Sequence, residues 1–346
     1  MEDTLYRGPS GRGPRIVAIG GGTGLSTMLR GLKTHTGELT AIVTVADDGG
    51  GSGVLRQELG MLPPGDVRNC LEALANVEPV MSELLHYRFT EGSLRGQSFG
   101  NLFLAALNGI SGGRFDQAVR RMSQVLAITG AVLPVTTSDV RLEAEFENGT
   151  RVLGESKIFY CKKREDCRIL KVRLLPEKPP ALPEALEAIR EADMILLGPG
   201  SLYTSVIPNL LVDGIWEAIA ASPALKVYVA NIMTQEGETE GCTCADHIRA
   251  LFRHSGPGLF SLCLVNSAPI PEDVVARYAL EGAEPLRWDR EACRELGVEL
   301  VSRPVAQVRP DGMVRHDPEK LADALLDLHA QRSVRIAGLG RYRPES

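Results

Sequence analysis

A glycine-rich turn directly follows an apolar run near the start of the chain. Residues 16–24 read IVAIGGGTG. In an α/β protein such a turn brings backbone N–H groups up to a phosphate, because glycine has no side chain to hold the anion away. The competing interpretation is a plain tight turn. The predicted phosphate-binding residues are Gly21, Gly22, Thr23 and Gly24.

Two acidic residues, Asp47 and Asp48, end the next apolar run, about 25 positions after the glycine turn, where dinucleotide folds place an acid that binds a ribose. Carboxylates there are equally suited to hold Mg²⁺, which prefers hard oxygen ligands and sits beside phosphates. The glycine-rich residues 49–53 that follow are expected to form a flexible loop that orders over a ligand. The alternative is a polar strand cap with a mobile loop.

Two further predicted helix starts carry polar groups. Asp66 follows a proline-glycine stop and is predicted to be a helix N-cap, which places Arg68 and Asn69 in the first turn. A cation is unfavourable there unless an anion joins it, so Arg68 indicates either a phosphate or carboxylate ligand or a salt bridge to a nearby acid. Gly100 and Asn101 begin another predicted helix in the same way.

The second half of the chain repeats the arrangement of an apolar run followed by glycine. Gly198, Gly200 and Ser201 form this second turn. Two such turns in one sheet predict a crevice at the carboxyl edge of the strands, where open α/β sheets bind ligands. Asn231 and Thr234 end the next predicted strand and are candidates to line that crevice; ordinary turn chemistry is the alternative.

Other catalytic patterns receive little support from the sequence. The first glycine turn matches neither G-x-G-x-x-G nor G-x-x-x-x-G-K-[ST], which disfavours an ordinary dehydrogenase or a P-loop ATPase. The serines show no G-x-S-x-G elbow of a hydrolase. Cys242, Cys244, His247 and His254 do not have a standard zinc spacing, so we do not expect them to bind a metal.

Composition limits the class of protein. The chain has 346 residues, of which 44% are hydrophobic, and a formal net charge of -6. The acidic balance argues against a general nucleic-acid surface. Seven cysteines without small-domain spacing and the lack of an apolar signal segment predict reduced thiols in the cytoplasm. No apolar run approaches the roughly 20 residues that cross a bilayer, so no membrane segment is expected.

The hydrophobic pattern predicts an α/β protein with a doubly wound, mostly parallel Rossmann-like sheet and a small inserted β-hairpin region. A helical apolar spacing after the first glycine turn leads to a β-branched run at 39–46, which together indicate a βαβ unit. Later strands are predicted at 194–198, 226–232, 259–265 and 298–303.

The predicted insertion covers about 131–178. Apolar and polar residues alternate across 140–156 around Asn148-Gly149, a dipeptide typical of a type I′ hairpin turn. We expect a mobile leader at 1–14, a single Rossmann-like nucleotide-binding domain at 15–335 that contains the insertion, and a tail at 336–346.

Six segments together resemble the bacterial gluconeogenesis factor family (YvcK type), which is related to 2-phospho-L-lactate transferase (CofD type). They are IGGGTGL at 19–25, VADDGG at 45–50, PGDVRN at 64–69, GNLF at 100–103, GPGSLY at 198–203 and NIMTQ at 231–235. The resemblance runs in order from about Arg15 to His329. Arg277-Tyr278, EGAEP at 281–285 and VRHDPEKL at 314–321 resemble the gluconeogenesis factor branch in particular.

This resemblance implies binding of UDP-sugars such as UDP-N-acetylglucosamine, without an established dehydrogenase or transferase role. The branch is associated with growth, cell shape and cell-wall precursor supply on gluconeogenic carbon sources. Carried over by position, Asp47 faces the ribose or a metal, and Gly200 and Ser201 close the other side. Tyr278 is expected to pack on a ring and Arg315 to pair with the diphosphate.

Two positions depart from the family pattern. Gly51 stands where a serine is usual, which removes a hydroxyl that could touch phosphate. Glu236 stands where a proline is usual after Met-Thr-Gln, which adds negative charge close to the expected anion. Both changes are expected to weaken ligand affinity or alter ligand choice.

The leading hypothesis is a cytoplasmic nucleotide-sugar sensor in which the ligand orders residues 49–53 and so changes the engagement of a metabolic-enzyme or cell-wall partner. The alternative is a transferase in which Asp47 and Asp48 hold Mg²⁺ and a nucleotide diphosphate donor gives up a phosphorus-linked group. Binding of NAD(P) rests on fold analogy alone and is the weakest hypothesis. A homodimer is left open, and neither nucleic acid nor membrane is expected as a partner.

Overall fold

The computed structural model describes residues 13–339, with side chains up to residue 332. Its strands are β1 Ile16–Gly20, β2 Leu39–Val43, β3 Ala131–Pro134, β4 Arg141–Phe146, β5 Arg151–Leu153, β6 Ile169–Leu175, β7 Met194–Leu197, β8 Leu225–Val229, β9 Leu262–Asn266, β10 Glu299–Arg303, β11 Ala306–Val308 and β12 Val314–His316.

The first seven helices are α1 Gly22–Leu32, α2 Gly50–Leu59, α3 Gly65–Leu74, α4 Pro79–His86, α5 Phe99–Ile110, α6 Phe115–Val125 and α7 Glu155–Glu165. The remaining helices are α8 Pro183–Glu191, α9 Ile207–Leu210, α10 Ile215–Ala221, α11 Cys244–His254, α12 Glu272–Leu280, α13 Arg290–Glu295 and α14 Pro318–Leu339. A turn of π-helix, Leu202–Val206, leads into α9. No described helix combines the length and the apolar character needed to cross a membrane.

The central sheet has seven parallel strands in the order β10-β9-β8-β7-β1-β2-β3. Its middle strands read as continuous apolar runs, and every residue of β1 and β7 is buried, as expected for parallel strands covered on both faces. The chain winds outward from β1 to β3 and then returns to place β7 beside β1. The doubly wound α/β fold is therefore confirmed, with its switch point between β1 and β7.

A separate antiparallel sheet forms in the order β5-β4-β6 and carries α7 between β5 and β6. Its boundary differs from the predicted 131–178, because residues 131–134 pair with β2 as an edge strand of the central sheet. The hairpin turn also differs from type I′. Of its two central residues only Gly149 has a positive φ, of 85°, and four residues, 147–150, connect the strands.

The predicted terminal segments fall mostly outside the described residues. Of the leader at 1–14, residues 1–12 lie outside them, and the Pro14 carbonyl accepts a hydrogen bond from the Thr36 hydroxyl at 3.0 Å. The predicted tail at 336–346 begins too early, because α14 continues to Leu339. Residues 340–346 lie outside the described part of the chain.

A small apolar cluster lies apart from the main core and fastens the C-terminal segments to the carboxyl edge of the sheet. It joins residues after β8, α12 and the β11–β12 hairpin: Ile232, Met233, Val274, Tyr278, Ala283 and Val314. Burial of each large apolar side chain contributes roughly 1.5–3 kcal/mol. The cluster thereby brings residues about 80 positions apart beside the first glycine turn.

Candidate functional site

The two glycine turns touch at the switch point of the sheet. Ile19 at the end of β1 lies opposite Leu197 at the end of β7, so the turns leave the sheet side by side. A Cβ on Gly24 would lie 2.7 Å from the carbonyl oxygen of Pro199, and one on Gly200 would lie 3.1 Å from that of Gly21. Gly24 therefore needs to be glycine, and a side chain at Gly200 would be tight, because the two backbones approach each other directly.

Asn231 fastens the second turn. Its Nδ2 donates to the carbonyl oxygen of Gly200 at 2.9 Å, and its Oδ1 accepts from the N–H of Gly200 at 3.1 Å. The amide of Gly200 is thus already bonded within the protein. Ser201 likewise donates its hydroxyl to Gln235 Oε1 at 2.6 Å. These groups shape the second turn, and the free main-chain donors must come from the first.

Thr234 joins two chain segments at the rim. Its N–H donates to the carbonyl oxygen of Glu284 at 2.7 Å, and its hydroxyl accepts from the N–H of Glu284 at 2.9 Å. The side chain is buried. The side chains of Thr234 and Asn231 both bond backbone groups of neighbouring segments. These are the turn-forming contacts that the sequence offered as the alternative to ligand binding.

The turns border a cleft of about 370 Å³, within the range of small-molecule pockets. The structure brings ten of the sequence-predicted residues to its walls: Gly21, Gly22, Thr23, Gly24, Gly200, Ser201, Asn231, Thr234, Tyr278 and Arg315. Gly198 lies just below, as the residue that turns the chain out of β7 with a φ of 74°. One cleft thus gathers residues from both halves of the chain.

Helix α1 begins at the cleft, with Gly21 as an N-cap that has no capping side chain. The first amides of a helix have no partner within it and carry partial positive charge. The N–H of Gly22 donates to the carboxylate of Asp66 behind the turn. Thr23 and Gly24, which also line the cleft, lie in the same first turn. The cleft therefore presents a helix start suited to an anion.

Tyr278 of α12 and Arg315 of β12 line the same cleft as the glycine turns. The Tyr278 hydroxyl accepts from the N–H of Val314 at 2.8 Å, and the ring is 7% exposed within the small apolar cluster. Arg315 donates Nη1 to the carbonyl oxygen of Val314 at 2.9 Å. Among the described residues no carboxylate lies within ion-pair distance of Arg315. Arg315 thus brings an uncompensated positive charge to the cleft.

Three carboxyl groups crowd together behind the first glycine turn. Burial and the charge of Asp47 raise the pKa of Asp66 to about 7. Burial, followed by the charges of Asp47 and Glu238, raises the pKa of Glu155 to about 8. Burial also raises the pKa of Asp47, although Gly49 donates its N–H to that carboxylate at 2.8 Å. Negative charge here is under-compensated, so a cation or protons are favoured.

Glu155 and Glu238 are site residues that sequence reasoning missed. Glu155 begins α7 in the inserted sheet, and no motif in its neighbourhood connects it with the glycine turns. Glu238 is buried and accepts from the N–H groups of Tyr203 at 2.7 Å and Thr204 at 3.0 Å, which holds the π-helical turn. The only sequence signal for Glu238 is its position three residues after the 231–235 segment, and a single nearby acid is weak evidence for a site.

Asp48 has a different position from Asp47. Its Oδ1 accepts from the N–H of Ser156 at 2.8 Å, which fastens the first turn of α7 to the end of β2. No group of three or more His, Cys, Asp or Glu side chains in residues 13–332 is arranged to hold a metal ion. A Mg²⁺ site at Asp47 and Asp48 stays a prediction, and Asp47 is the better placed of the two.

Residues 49–53 do not form the expected loop. Gly49 is the N-cap of α2, and Gly50, Gly51, Ser52 and Gly53 are its first residues. A Cβ on Gly53 would lie 2.2 Å from the carbonyl oxygen of Asp48, so the glycine permits the chain to fold back on itself. The prediction of a loop is therefore wrong, whereas ordering of these residues over a ligand stays a prediction.

Asp66 is not the N-cap of α3. The helix begins at Gly65 after Pro64, so Asp66 is its second residue. Arg68 donates Nη1 to the buried Glu72 at 2.7 Å and Nη2 to Asn69 Oδ1 at 2.8 Å. Of the two interpretations of Arg68, the structure has the salt bridge, to Glu72. Arg68 and Asn69 bond each other, and neither lines the cleft.

Gly100 and Asn101 also lie outside the cleft. Ser98 is the N-cap of α5, and its hydroxyl accepts from the N–H of Asn101 at 3.2 Å. A Cβ on Gly100 would lie 2.6 Å from Cδ of Arg68, so this glycine permits α5 to pack on α3. Gly100 and Asn101 therefore serve the packing and capping of α5, although their local sequence resembles a phosphate-binding helix start.

The inserted sheet reaches the cleft through α7. Lys163 pairs with Glu236 at 2.5 Å, and Lys162 pairs with Glu240 at 3.3 Å. A Cβ on Gly237 would lie 2.1 Å from the Phe159 ring. The carboxylate of Glu236, which was expected to oppose an anion in the cleft, therefore has a cationic partner from the insertion.

Three of the four cysteine and histidine residues that are possible metal ligands have separate partners. The Tyr228 hydroxyl and His247 Nδ1 lie 3.0 Å apart, and burial lowers the pKa of His247 to about 4. His254 Nε2 accepts from the N–H of Val172 at 2.9 Å. The sulfur of Cys244 lies 3.6 Å from that of Cys263, in the core.

Comparison with known proteins places the chain among similar sequences over most of its length. The family model for 2-phospho-L-lactate transferase CofD matches residues 16–306. The gluconeogenesis factor of Bacillus subtilis is 49% identical over 319 residues, which cover 92% of this chain and 99% of that protein. The gluconeogenesis factor of Halalkalibacterium halodurans is 49% identical over 313 residues, covering 90% and 95%.

The fold is similar to that of a crystallised UPF0052 family member from Bacillus halodurans. The two structures have a TM-score of 0.87 and 48% sequence identity, and the match covers 91% of this chain and 100% of that one.

Replacing Asp66 with asparagine tests the charge behind the turn. Because folding raises the pKa of Asp66 to about 7, the native state holds a proton that the unfolded chain releases, and stability falls as pH rises from about 4 to about 7. Asp66→Asn removes this loss. We expect its Tm to exceed that of the wild type by about 2 °C or more near pH 8, and the difference to vanish near pH 4.

The control for this experiment is Asp327→Asn, an exposed position on α14. Thermal unfolding of all three proteins in a chelating buffer measures the effect. A lower Tm of Asp66→Asn near pH 8, with the control unchanged, would contradict the raised pKa.

Replacing Asn231 with alanine tests the clamp on the second turn. The variant loses both hydrogen bonds to the partly buried Gly200, each of which contributes about 0.5–1.5 kcal/mol. We expect faster amide hydrogen exchange in 198–203 and a lower Tm. Asn76→Ala, which removes two exposed side-chain bonds, to the Ala127 carbonyl and the Thr129 hydroxyl, is the matched control. Unchanged exchange in 198–203 would show that Asn231 does not hold the turn.

Proposed function

The chain belongs to the 2-phospho-L-lactate transferase CofD family, and from this premise we propose that it is a regulatory protein that binds a nucleotide sugar of the UDP-N-acetylglucosamine type. The observation that supports the proposal most directly is the meeting of the α1 start and Arg315 in one cleft of about 370 Å³. A helix start and an arginine in one cleft are complementary to a diphosphate.

The charges around the cleft agree with an anionic ligand. Arg315 has its guanidinium uncompensated among the described side chains, and the partner of Glu236 is Lys163. Glu281 also lines the cleft, which leaves the wall near it suited to hydroxyl groups rather than to phosphate. The diphosphate would lie between α1 and Arg315, and the sugar or the uridine would extend toward residues 231–236.

The regulatory part of the proposal rests on the names of the relatives. Proteins similar to this chain along nearly their whole length are named gluconeogenesis factors. We propose that the ligand-bound chain acts in the cytoplasm on a metabolic-enzyme partner and so supports cell shape and cell-wall precursor supply on gluconeogenic carbon. Residues 49–53 belong to the start of α2 and not to a loop. We therefore propose that ligand binding is transmitted to the partner through α7 and through residues 235–241, which α7 contacts.

A Mg-dependent transferase with a nucleotide diphosphate donor is the second candidate. Its support is the carboxyl cluster of Asp47, Asp66 and Glu155, whose raised pKa values reflect charge that a hard cation would compensate. Mg²⁺ often takes only one or two carboxylates and completes its shell with water and phosphate oxygens, so Asp47 fits such a role. Binding of NAD(P) has only the fold in its favour.

Titration with UDP-N-acetylglucosamine tests the leading proposal. We expect saturable binding to the wild type, and a loss of affinity of at least about tenfold in Arg315→Gln, because the guanidinium pairs with the diphosphate. Arg309→Gln removes an exposed cation near the same hairpin and should bind as the wild type does. No binding by folded wild-type protein, or equal affinity of both variants, would overturn the proposal.

The two candidates differ in turnover. The regulatory proposal predicts that a panel of nucleotide diphosphate donors stays intact with the protein and Mg²⁺, as followed by chromatography of the nucleotides. Metal-dependent consumption of one donor that is lost in a folded Asp47→Asn variant would replace the proposal by the transferase.

A further inference from the structure

A second cavity lies at the opposite edge of the sheet from the cleft. It has a volume of about 680 Å³ and is bounded by the N-terminal ends of β8 and β9, by the edge strand β10 and by α14. It shares no lining residue with the cleft. Its size is sufficient for a small molecule.

Four cationic side chains border this cavity, and one acid. The cations are Lys226, Arg290, Arg303 and Arg332, and the acid is Glu299. The chain as a whole has a formal net charge of -6. A local excess of positive charge in an acidic protein indicates a site that attracts anions.

The cations are bonded only to neutral groups. Lys226 Nζ donates to the carbonyl oxygen of Ala220 at 3.0 Å, and Arg332 Nη2 donates to that of Pro223 at 2.7 Å. The bond from Lys226 satisfies a carbonyl in the last turn of α10, and the bond from Arg332 holds the segment that follows it. They use one donor of each side chain, whereas a lysine has three and an arginine five. The remaining donors are free to bind a ligand.

The other two cations meet at Ser302 on β10. Arg290 donates Nη2 to the Ser302 hydroxyl at 3.0 Å, and Arg303 donates Nη1 to the Ser302 carbonyl oxygen at 3.0 Å. Arg290 also donates Nη1 to the carbonyl oxygen of Leu300 at 2.7 Å and lies over the Trp288 ring, which holds its charge at the cavity. Within residues 13–332, none of the four cations has a carboxylate at ion-pair distance. The pKa of Lys226 is lowered by its partial burial and by the charge of Arg332, as expected for neighbouring cations without an anion.

A neighbouring cavity provides a contrast within the same molecule. It has a volume of about 640 Å³ and lies below β1, β2 and β3. Its two arginines are paired, Arg15 with Asp193 at 3.1 Å and Arg120 with Glu184. Carboxylates thus neutralise the arginines of the cavity below β1, β2 and β3. The four cations of the cavity between β8, β10 and α14 have no such partners among the described residues.

We propose that the cavity between β8, β10 and α14 binds a small polyanion that carries two or more phosphate groups. One pair of cations, Lys226 and Arg332, binds one phosphate, and the pair Arg290 and Arg303 binds another. Arginine forks match phosphate oxygens in a bidentate geometry, which favours phosphates over single carboxylates. This site is separate from the nucleotide-sugar cleft and does not depend on it.

Hydrogen–deuterium exchange on the full chain with inorganic tripolyphosphate, at about 150 mM salt, tests the proposal. We expect protection in 222–226 and 299–303, which distinguishes this cavity from any binding at residues 21–24. The double variant Lys226→Gln/Arg332→Gln should bind at least about tenfold more weakly by calorimetry. Arg121→Gln/Arg190→Gln, which removes two exposed cations elsewhere, should bind as the wild type does.

A second variant covers the case in which loss of the α10 cap destabilises the protein. Arg303→Gln removes a cation that bonds only the neighbouring Ser302 carbonyl, and it should also weaken tripolyphosphate binding with an unchanged Tm. The proposal is overturned if 222–226 and 299–303 show no protection, or if the folded variants bind tripolyphosphate like the wild type. Equal affinity for citrate would overturn the assignment to phosphate.

Discussion

Contact between two stretches of bare backbone at the switch point of the sheet is the constraint on which the site depends. The turn after β1 and the turn after β7 approach so closely that a Cβ on Gly24 would overlap the opposite chain and one on Gly200 would contact it tightly. Packing of this kind fixes where α1 starts and therefore where its positive end points. Asn231 then bonds the second turn on both its N–H and its carbonyl oxygen, so the cleft has one rigid wall and one wall of donors.

Electrostatics divides the molecule into regions of different character. Behind the first turn, Asp47, Asp66 and Glu155 crowd into a poorly solvated space, and their raised pKa values show that the fold tolerates this charge without favouring it. In front of the turn, Arg315 supplies positive charge. A phosphorylated ligand between the two would be attracted from one side and would favour protons or a cation on the other.

The inserted antiparallel sheet is part of the site rather than an addition at the surface. Asp48 at the end of β2 bonds the start of α7, and Lys163 and Lys162 of α7 pair with acids at the rim of the cleft. Glu155, from the same helix, completes the carboxyl cluster. Any movement of α7 would therefore change both the charge behind the glycine turn and the geometry of the rim.

The sequence by itself determined the doubly wound α/β fold, the positions of the two glycine turns and the family, because buried parallel strands and glycine turns leave local patterns in apolar periodicity and residue type. Asp66 and the run at 49–53 show the limit of such patterns. Both were assigned from local turn chemistry, whereas packing made Asp66 a partner of Gly22 and drew the glycines into α2. Only the tertiary structure decided that Arg68 pairs with Glu72 and that Glu155 joins Asp47, because contacts between distant segments depend on how elements pack and not on their own composition.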